Sequence, residues 1–413
     1  MLKDREFDQS AQKALAFAPA STHRPRTSTP PRTYRVAGLF AGIGGIELGF
    51  ERAGHSTELL CELDEGAQAV LNARFRQDIA RERDVKKILS LPKNIDLVAA
   101  GFPCQDLSQA GRTRGIRGAN SGLVGEVFRL LDKQRVPNVV LENVPFMLQL
   151  GGGAALAHIL SRLESLGYRW AYRVVNTQAF GLPHRRRRVL FVASLVDDPR
   201  EVLFADDAGP ATSTCESDEV ACGFYWTEGI RGLGWAVDSV PTLKGGSTVG
   251  IPSPPAILLP SGEIVKPSIR VAEELQGFPR NWTLPAADCV RDSLRWKLVG
   301  NAVSVPTATW LGRRLARPGA IVHQGARPLK PSEKWPTAAC NVGDGRYAVS
   351  ISEWPKRYKQ RRPLERYLEQ KDCELLSAKA TRGFLQRTRQ SRLRFPPGFI
   401  NAVEAHLRRM ESG

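Results

Sequence analysis

Apolar runs of strand length alternate with stretches of helical spacing along the first half of this chain. TYRVAGLF (Thr33–Phe40) reads as a buried strand, and IELGFERAG (Ile46–Gly54) spaces its apolar residues as a helix does before ending on glycine. The pattern repeats in STELLCEL and DEGAQAVLNARF, in IDLVAAGF (Ile95–Phe102) and GLVGEVFRLLDKQ, and in VPNVVLENV (Val136–Val144) and AALAHILSRLESLG (Ala154–Gly167). RRVLFVASL closes the series. Strands that are apolar throughout, each followed by a helix, predict an α/β fold: a doubly wound, mostly parallel sheet with helices on both faces.

From Val196 to about Ile264 the periodicity fails, with DDPRE, GGST and PSPP in its place. A helix returns with IRVAEELQ, and RWKLVGNAVSVPTATWLGRRLA (Arg295–Ala316) predicts one more strand, turn and helix. The expected plan is a flexible arm over residues 1–33, an α/β domain over 34–195 and an irregular insertion over 196–265. The chain then returns to the α/β domain over 266–319 and ends in a basic, partly helical extension over 320–413.

The chain has 413 residues, 42% hydrophobic and 24% charged, enough for a substantial core. No run of ~18 apolar residues suggests a membrane span, and the N-terminus lacks the apolar core and cleavage site of a signal peptide. A cytoplasmic protein without a membrane partner is expected. The seven cysteines (Cys61, Cys104, Cys215, Cys222, Cys289, Cys340, Cys373) are odd in number and form no C-x-x-C pair, so neither a zinc site nor a disulfide framework is expected, and no metal. The formal net charge is +17, and residues 321–413 alone hold 19 Lys and Arg against 9 Asp and Glu. A basic excess gathered in one region points to a polyanion, most simply nucleic acid; a surface that only aids solubility is the plainer reading.

Doubly wound sheets bind ligands beyond the carboxyl ends of their strands, and several unusual residues fall at such ends. FAGIGG (Phe40–Gly45) follows the first strand, and Gly42, Gly44 and Gly45 permit a tight turn and close approach of a ligand. Glu62, at the end of the second strand, is placed to bind ribose hydroxyls, and Asp84 to meet an adenine amino group. Either carboxylate is equally readable as a solvated surface group; with the glycine turn they favour an adenosine-containing cofactor. Cys104 ends another strand. A lone cysteine is most often a small buried hydrophobe, but here Pro103 precedes it and Arg112, Arg114 and Arg117 follow, a setting that favours a thiolate. Glu142 ends the neighbouring strand, and a thiol and a carboxyl on adjacent strand ends suggest covalent catalysis assisted by an acid. In PHRRRRVLFVA, strand alternation sends Arg186 and Arg188 to one face and Arg185 and Arg187 to the other.

Taken together, FAGIGG, GFPCQDLS, LENV, GLPHRRRR, RVAEELQGFP and GNAVSVP resemble, in order, the motifs of the DNA (cytosine-5)-methyltransferases, over roughly Tyr34 to Ala316. The resemblance implies that Cys104 attacks C6 of a flipped-out cytosine, that Glu142 bonds the ring at N3, that Arg188 contacts O2 and that Arg186 helps hold the active-site loop. It implies S-adenosyl-L-methionine as methyl donor and S-adenosyl-L-homocysteine as product. The cofactor would be held by Phe40, Gly42, Ile43, Gly44, Gly45, Glu62, Leu63, Asp84, Pro103, Leu123, Asn301 and Val303. The insertion would be a target-recognition region for double-stranded DNA. Thr242 and Leu243 in VPTLKGG would be major-groove candidates, joined by Gln105, Ser108 and Arg112 of the loop after the thiol. The basic extension would grip phosphate. His184 stands where the family usually has Gln, a departure that touches the loop contact.

A tRNA cytosine-5 methyltransferase on the same fold is the nearest rival; Gln105 and the long insertion fit DNA better. A catalytically silent nucleic-acid-binding protein is expected to have lost Cys104, Glu142 or the arginine run, and a dinucleotide oxidoreductase leaves all three unexplained. The compact plan fits a prokaryotic restriction-modification enzyme. It would be a monomer at the nucleoid, sharing its site with a cognate restriction endonuclease without a stable complex.

Overall fold

A computed structural model describes residues 30–103, 122–209, 219–228, 230, 232–245, 254–322, 325–330, 333–358 and 361–412. Five strands run parallel: β1 (Arg35–Leu39), β2 (Ser56–Cys61), β3 (Ala80–Glu82), β4 (Leu97–Ala100) and β5 (Asn138–Asn143). Their spatial order is β3-β2-β1-β4-β5. The order reverses between β1 and β4, so the crevice beyond the carboxyl ends of those two strands is where a doubly wound sheet takes its ligand. Successive residues of each strand feed opposite layers. In β4, Leu97 and Ala99 join one core cluster, whereas Val98 and Ala100 join the other. That explains why β4 is apolar without interruption.

Helices α3 (Leu123–Lys133) and α4 (Ala154–Ser165) cover one face through Val127, Phe128, Leu131, Ile159 and Leu163. The other face is covered by α1 (Gly45–Glu51), by the short α5 (Arg200–Leu203) and by α8 (Val305–Ala316). Gly49 makes the α1–α8 contact possible: a Cβ there would stand 2.4 Å from Ala308 Cβ. Helix α2 (Glu65–Arg74) starts at Asp64, whose carboxylate accepts from the Ala67 N–H. Helix α6 (Ile269–Leu275) forms where IRVAEELQ predicts it, and the Ser268 hydroxyl caps it by accepting from the Val271 N–H. Residues 295–316 are not strand, turn and helix but two helices, α7 (Asp292–Asn301) and α8. Arg295, Leu298 and Val299 are buried at helical spacing, which the short apolar run LVG concealed.

Beyond β5 the large sheet continues with antiparallel strands, β8 (Arg187–Ser194), β6 (Arg169–Asn176), β15 (Ala338–Asn341), β16 (Tyr347–Val349) and β14 (Ala326–Pro328). A second, five-stranded antiparallel sheet joins β9 (Cys222–Phe224), β10 (Ala236–Val237), β12 (Ala256–Leu258), β13 (Ile264–Pro267) and β17 (Cys373–Leu375). Against it pack α9 (Ala378–Arg389) and α10 (Phe399–Ser412), with Phe224, Phe384 and Phe399 at the centre of a separate core. Residues 320–413, expected as an extension, are thus built into both sheets, and deleting them removes strands and core rather than a tail. The arm expected over residues 1–33 falls, up to residue 29, outside the described residues.

One buried carboxyl gives the fold a pH dependence. Glu47 of α1 is 1% exposed, its Oε2 has no hydrogen-bond partner, and its Oε1 occupies the space that a Cβ on Gly38 would take. Burial first, then the Glu51 and Glu62 charges, push its carboxyl up to about 8. The folded value is raised above the unfolded one, so the protonated group stabilises fully at low pH. That stability is lost as pH climbs from about 4.5 towards 8, a change of a few kcal/mol. Glu47→Gln, which cannot ionise, is expected to melt close to wild type at pH 5 and several degrees higher at pH 8.5. A melting-temperature gap that does not widen with pH would refute this.

Candidate active site

The crevice at the β1/β4 reversal is built from chain turns that only certain residues allow. After β1 the backbone enters the left-handed region at Phe40 (φ 56°) and again at Gly42 (φ 55°) and Gly44 (φ 81°). The Ala41 N–H donates to the Cys61 carbonyl (3.0 Å), which ties the turn to the end of β2. Glu62 accepts from the Gly42 N–H through Oε2 (2.7 Å) and from the Asp64 N–H through Oε1 (2.8 Å), so its carboxylate is fixed beside the glycine turn. Trp282 Nε1 donates to the carbonyl of Ile43 (2.9 Å), itself buried. A Cβ at Gly44 would meet the Phe75 ring at 2.3 Å and one at Gly45 the Val303 carbonyl at 2.4 Å, whereas at Gly42 nothing lies within 4 Å. The turn is therefore packed from behind and open in front.

Leu63, next to Glu62, is 61% exposed, and Asp84, just beyond β3, caps the following turn by accepting from the Lys86 N–H (3.0 Å). Phe40 and Leu123 pack on the same core cluster. Pro103 is exposed beyond β4; Asn301 is exposed and Val303 buried in the segment joining α7 to α8. The residues expected around a cofactor thus gather at the carboxyl ends of β1 to β4 and at the returning segment.

Cys104, Gln105, Ser108, Arg112, Arg114 and Arg117 lie outside the described residues. Glu142, Arg186 and Arg188 do not. Glu142, buried in β5, has Arg188 Nε of β8 at 2.8 Å from its Oε1. Burial raises the carboxyl's pKa, and the Arg188 and Arg186 charges offset part of that rise. Arg186 is fully buried, donating to the carbonyls of Ala302 (2.7 Å) and Leu243 (3.4 Å). Arg185 and Arg187 are exposed, as strand alternation requires, and Arg187 pairs with Glu353.

Two contacts here carry no signal in composition or charge. Asn143 Nδ2 donates to the Phe102 carbonyl (3.0 Å), and Asn143 Oδ1 accepts from the Val144 N–H (2.8 Å), so β5 holds the backbone two residues ahead of Cys104. His184, in β7 (His184–Arg185), is buried and paired alongside β11 (Val240–Pro241). Its Nε2 accepts from the Leu243 N–H (3.1 Å) and its Nδ1 faces the Leu275 carbonyl (3.2 Å), which assigns the proton to Nδ1. Burial, and then the Arg186 and Arg188 charges, keep this ring neutral. The departure from Gln thus serves to hold the Thr242–Leu243 segment. Thr242 Oγ1 donates to the Arg185 carbonyl (3.0 Å); the Leu243 side chain is 2% exposed and faces the core rather than an outer surface. Among the described residues no cluster of three metal-ligating side chains occurs, and no helix is long and apolar enough to cross a membrane.

Residues 34–219 match the family model of the C-5 cytosine-specific DNA methylases. The chain is 44% identical over 383 residues to the Type II methyltransferase M2.BsuMI of Bacillus subtilis (strain 168), covering 90% of this chain and 97% of that one. It is 36% identical to the Type II methyltransferase M.BanI of Aneurinibacillus aneurinilyticus over 42% of this chain and 41% of that one. A solved structure of the Entamoeba histolytica methyltransferase EhMeth aligns with 69% of this chain and 98% of its own, at a TM-score of 0.48 and 16% identity.

Proposed function

The chain belongs to the C-5 cytosine-specific DNA methylases and methylates cytosine in DNA at C5; from that premise we propose how its own residues perform the reaction. The observation that carries the reading is the buried Glu142–Arg188 pair on the strand next to the one that leads into Cys104. A cytosine turned out of the duplex enters this pocket, because its C5 and C6 are not reachable within the stack. The Cys104 thiolate attacks C6. Protonated Glu142 donates to N3, so the electron pair released by attack is held in the ring and C5 becomes nucleophilic. Arg188, fixed between Glu142 and the Arg187 carbonyl, holds the carboxyl in place and donates to the cytosine O2. After methyl transfer to C5, the C5 proton passes to solvent water, the Cys104 thiolate is expelled, and N3 returns its proton to Glu142, which restores the aromatic ring and the acid.

The crevice fits S-adenosyl-L-methionine. The open front of Gly42 leaves room for close approach, Glu62 and Asp84 offer acceptors for ribose hydroxyls and an adenine amine, and exposed Leu63 offers an apolar flank for the base. When bound, this cofactor supplies an electrophilic methyl group and leaves as S-adenosyl-L-homocysteine. Phe40, Ile43, Gly44, Gly45, Pro103, Leu123, Asn301 and Val303 complete its pocket. The second sheet and Thr242 address duplex DNA, with Leu243 anchoring that segment to the core, and the relatives named as Type II methyltransferases support a restriction-modification role. The protein acts as a monomer and shares its site with an endonuclease that it does not bind stably. Bisulfite sequencing of plasmid DNA from cells expressing the protein is expected to show protected cytosines within one short motif; uniformly converted DNA would sink the reading.

A further inference from the structure

One ion pair stands where the recognition segment leaves the catalytic pocket. Lys244 follows Leu243, whose carbonyl and N–H are held by Arg186 and His184. Its ammonium pairs with Glu228 and lies 3.8 Å from the centre of the Tyr225 ring. Both side chains are 35% exposed. A partly exposed Lys–Glu pair adds little to stability, yet the segments that carry this one are fixed by further contacts. Tyr225 donates through its hydroxyl to the Thr242 carbonyl (2.8 Å), and Gly234 leaves room for its ring, since a Cβ there would stand 2.4 Å from Tyr225 Cδ2. Arg387 of α9 donates to the carbonyls of Glu228 (3.0 Å) and Trp226 (2.9 Å). On the far side, Gly300 of α7 lets the Lys244 backbone pack within 2.7 Å of where a Cβ would be.

We propose that Lys244 and Glu228 together read one G·C base pair of the target in the major groove, Lys244 donating to the guanine O6 and N7 and Glu228 accepting from the cytosine N4 amine. The proposal rests on the DNA-methylation reading above. A guanine presents two acceptors on its major-groove edge and its partner cytosine one amino donor, so a cation and a carboxylate held side by side match that edge in order. A phosphate contact is disfavoured by the same geometry, because Glu228 beside Lys244 repels an anion. The bracing holds the pair's backbone in place before DNA arrives, as a recognition site requires.

The test uses the full chain and a duplex panel built on the motif found by bisulfite sequencing, with each base pair other than the target replaced in turn. Lys244→Met keeps the aliphatic packing on Tyr225 and removes the charge. It is expected to methylate the cognate duplex more weakly and the substituted one almost as before, losing ~10- to 100-fold of its discrimination at one G·C position. Glu228→Gln is expected to relax the same position. If Lys244→Met is inactive on every duplex, Lys244→Arg decides: retained discrimination at that position supports the proposal, and an even loss across the panel overturns it. Even weakening with a salt dependence of binding shallower by about one charge makes Lys244 a phosphate contact and overturns the proposal. Discrimination unchanged at every position overturns it as well. A wild-type protein that methylates no duplex would fail the functional reading, not this assignment.

Discussion

A Cys104→Ser protein is expected to bind its DNA and to transfer no methyl group, a loss on the order of 10⁴-fold or more. The serine hydroxyl is almost wholly protonated at neutral pH and is a far poorer nucleophile than a thiolate, and the proposed pocket offers no base to activate it. Without addition at C6, C5 stays part of an aromatic ring and does not take a methyl group. Binding is expected to persist because the groove contacts and Glu142 are untouched. A second readout separates the covalent step from simple positioning. Duplex DNA carrying 5-fluorocytosine at the target is expected to trap the wild-type protein as a complex stable on a denaturing gel. Addition and methyl transfer proceed, but the C5 fluorine cannot leave as a proton does, so the Cys104–C6 bond persists. Cys104→Ser is expected to form no such complex. Near-normal methylation by the serine variant, or no adduct with the wild type, would refute the covalent route.

The parallel half of the sheet and the pocket at its edge are legible in the sequence because their signals are local. Strands such as LVAAGF are apolar and lead into the residues proposed to do chemistry, so Gly42, Glu62 and Glu142 can be assigned to one edge from the sequence. β6 carries the opposite lesson. RWAYRVVN has arginines at 169 and 173, and Arg173 is fully buried, because the carbonyls of Leu203, Asp206 and Ser352 accept its protons. Those acceptors come from two distant segments, so the residue reads as a surface cation until the fold is known. The second sheet is assembled from strands of two to four residues, too short for a period to register. Net charge alone does not show which cations hold the fold. Several C-terminal arginines form ion pairs within the protein, as in Arg346–Glu164, Arg361–Asp238, Arg389–Glu404 and Arg409–Glu263, and Arg387 holds a backbone turn. Such cations are anchors of the fold first.

Replacing Glu142 with Gln is expected to lower kcat by roughly 10²- to 10⁴-fold, the range over which a positioned acid acts, and to change the shape of the pH profile. The proposed reaction needs a thiolate at Cys104 and a proton on Glu142. Cys104 therefore sets a limb that rises with pH, and Glu142 one that falls as pH passes through its raised pKa. Burial raises the carboxyl's hold on that proton above that of an exposed glutamate, which would be ionised at neutral pH and could not donate to N3. Arg188 works against the rise through its charge and its contact with the carboxylate. The amide of the Glu142→Gln variant keeps a donor N–H but has no proton to surrender, so the falling limb should vanish while the rising one remains. Arg188→Ala is expected to move the falling limb to higher pH, since it removes the charge that lowers the Glu142 pKa. An E142Q protein within a few-fold of wild-type kcat, or one that keeps the alkaline decline, would show that N3 is protonated by another group.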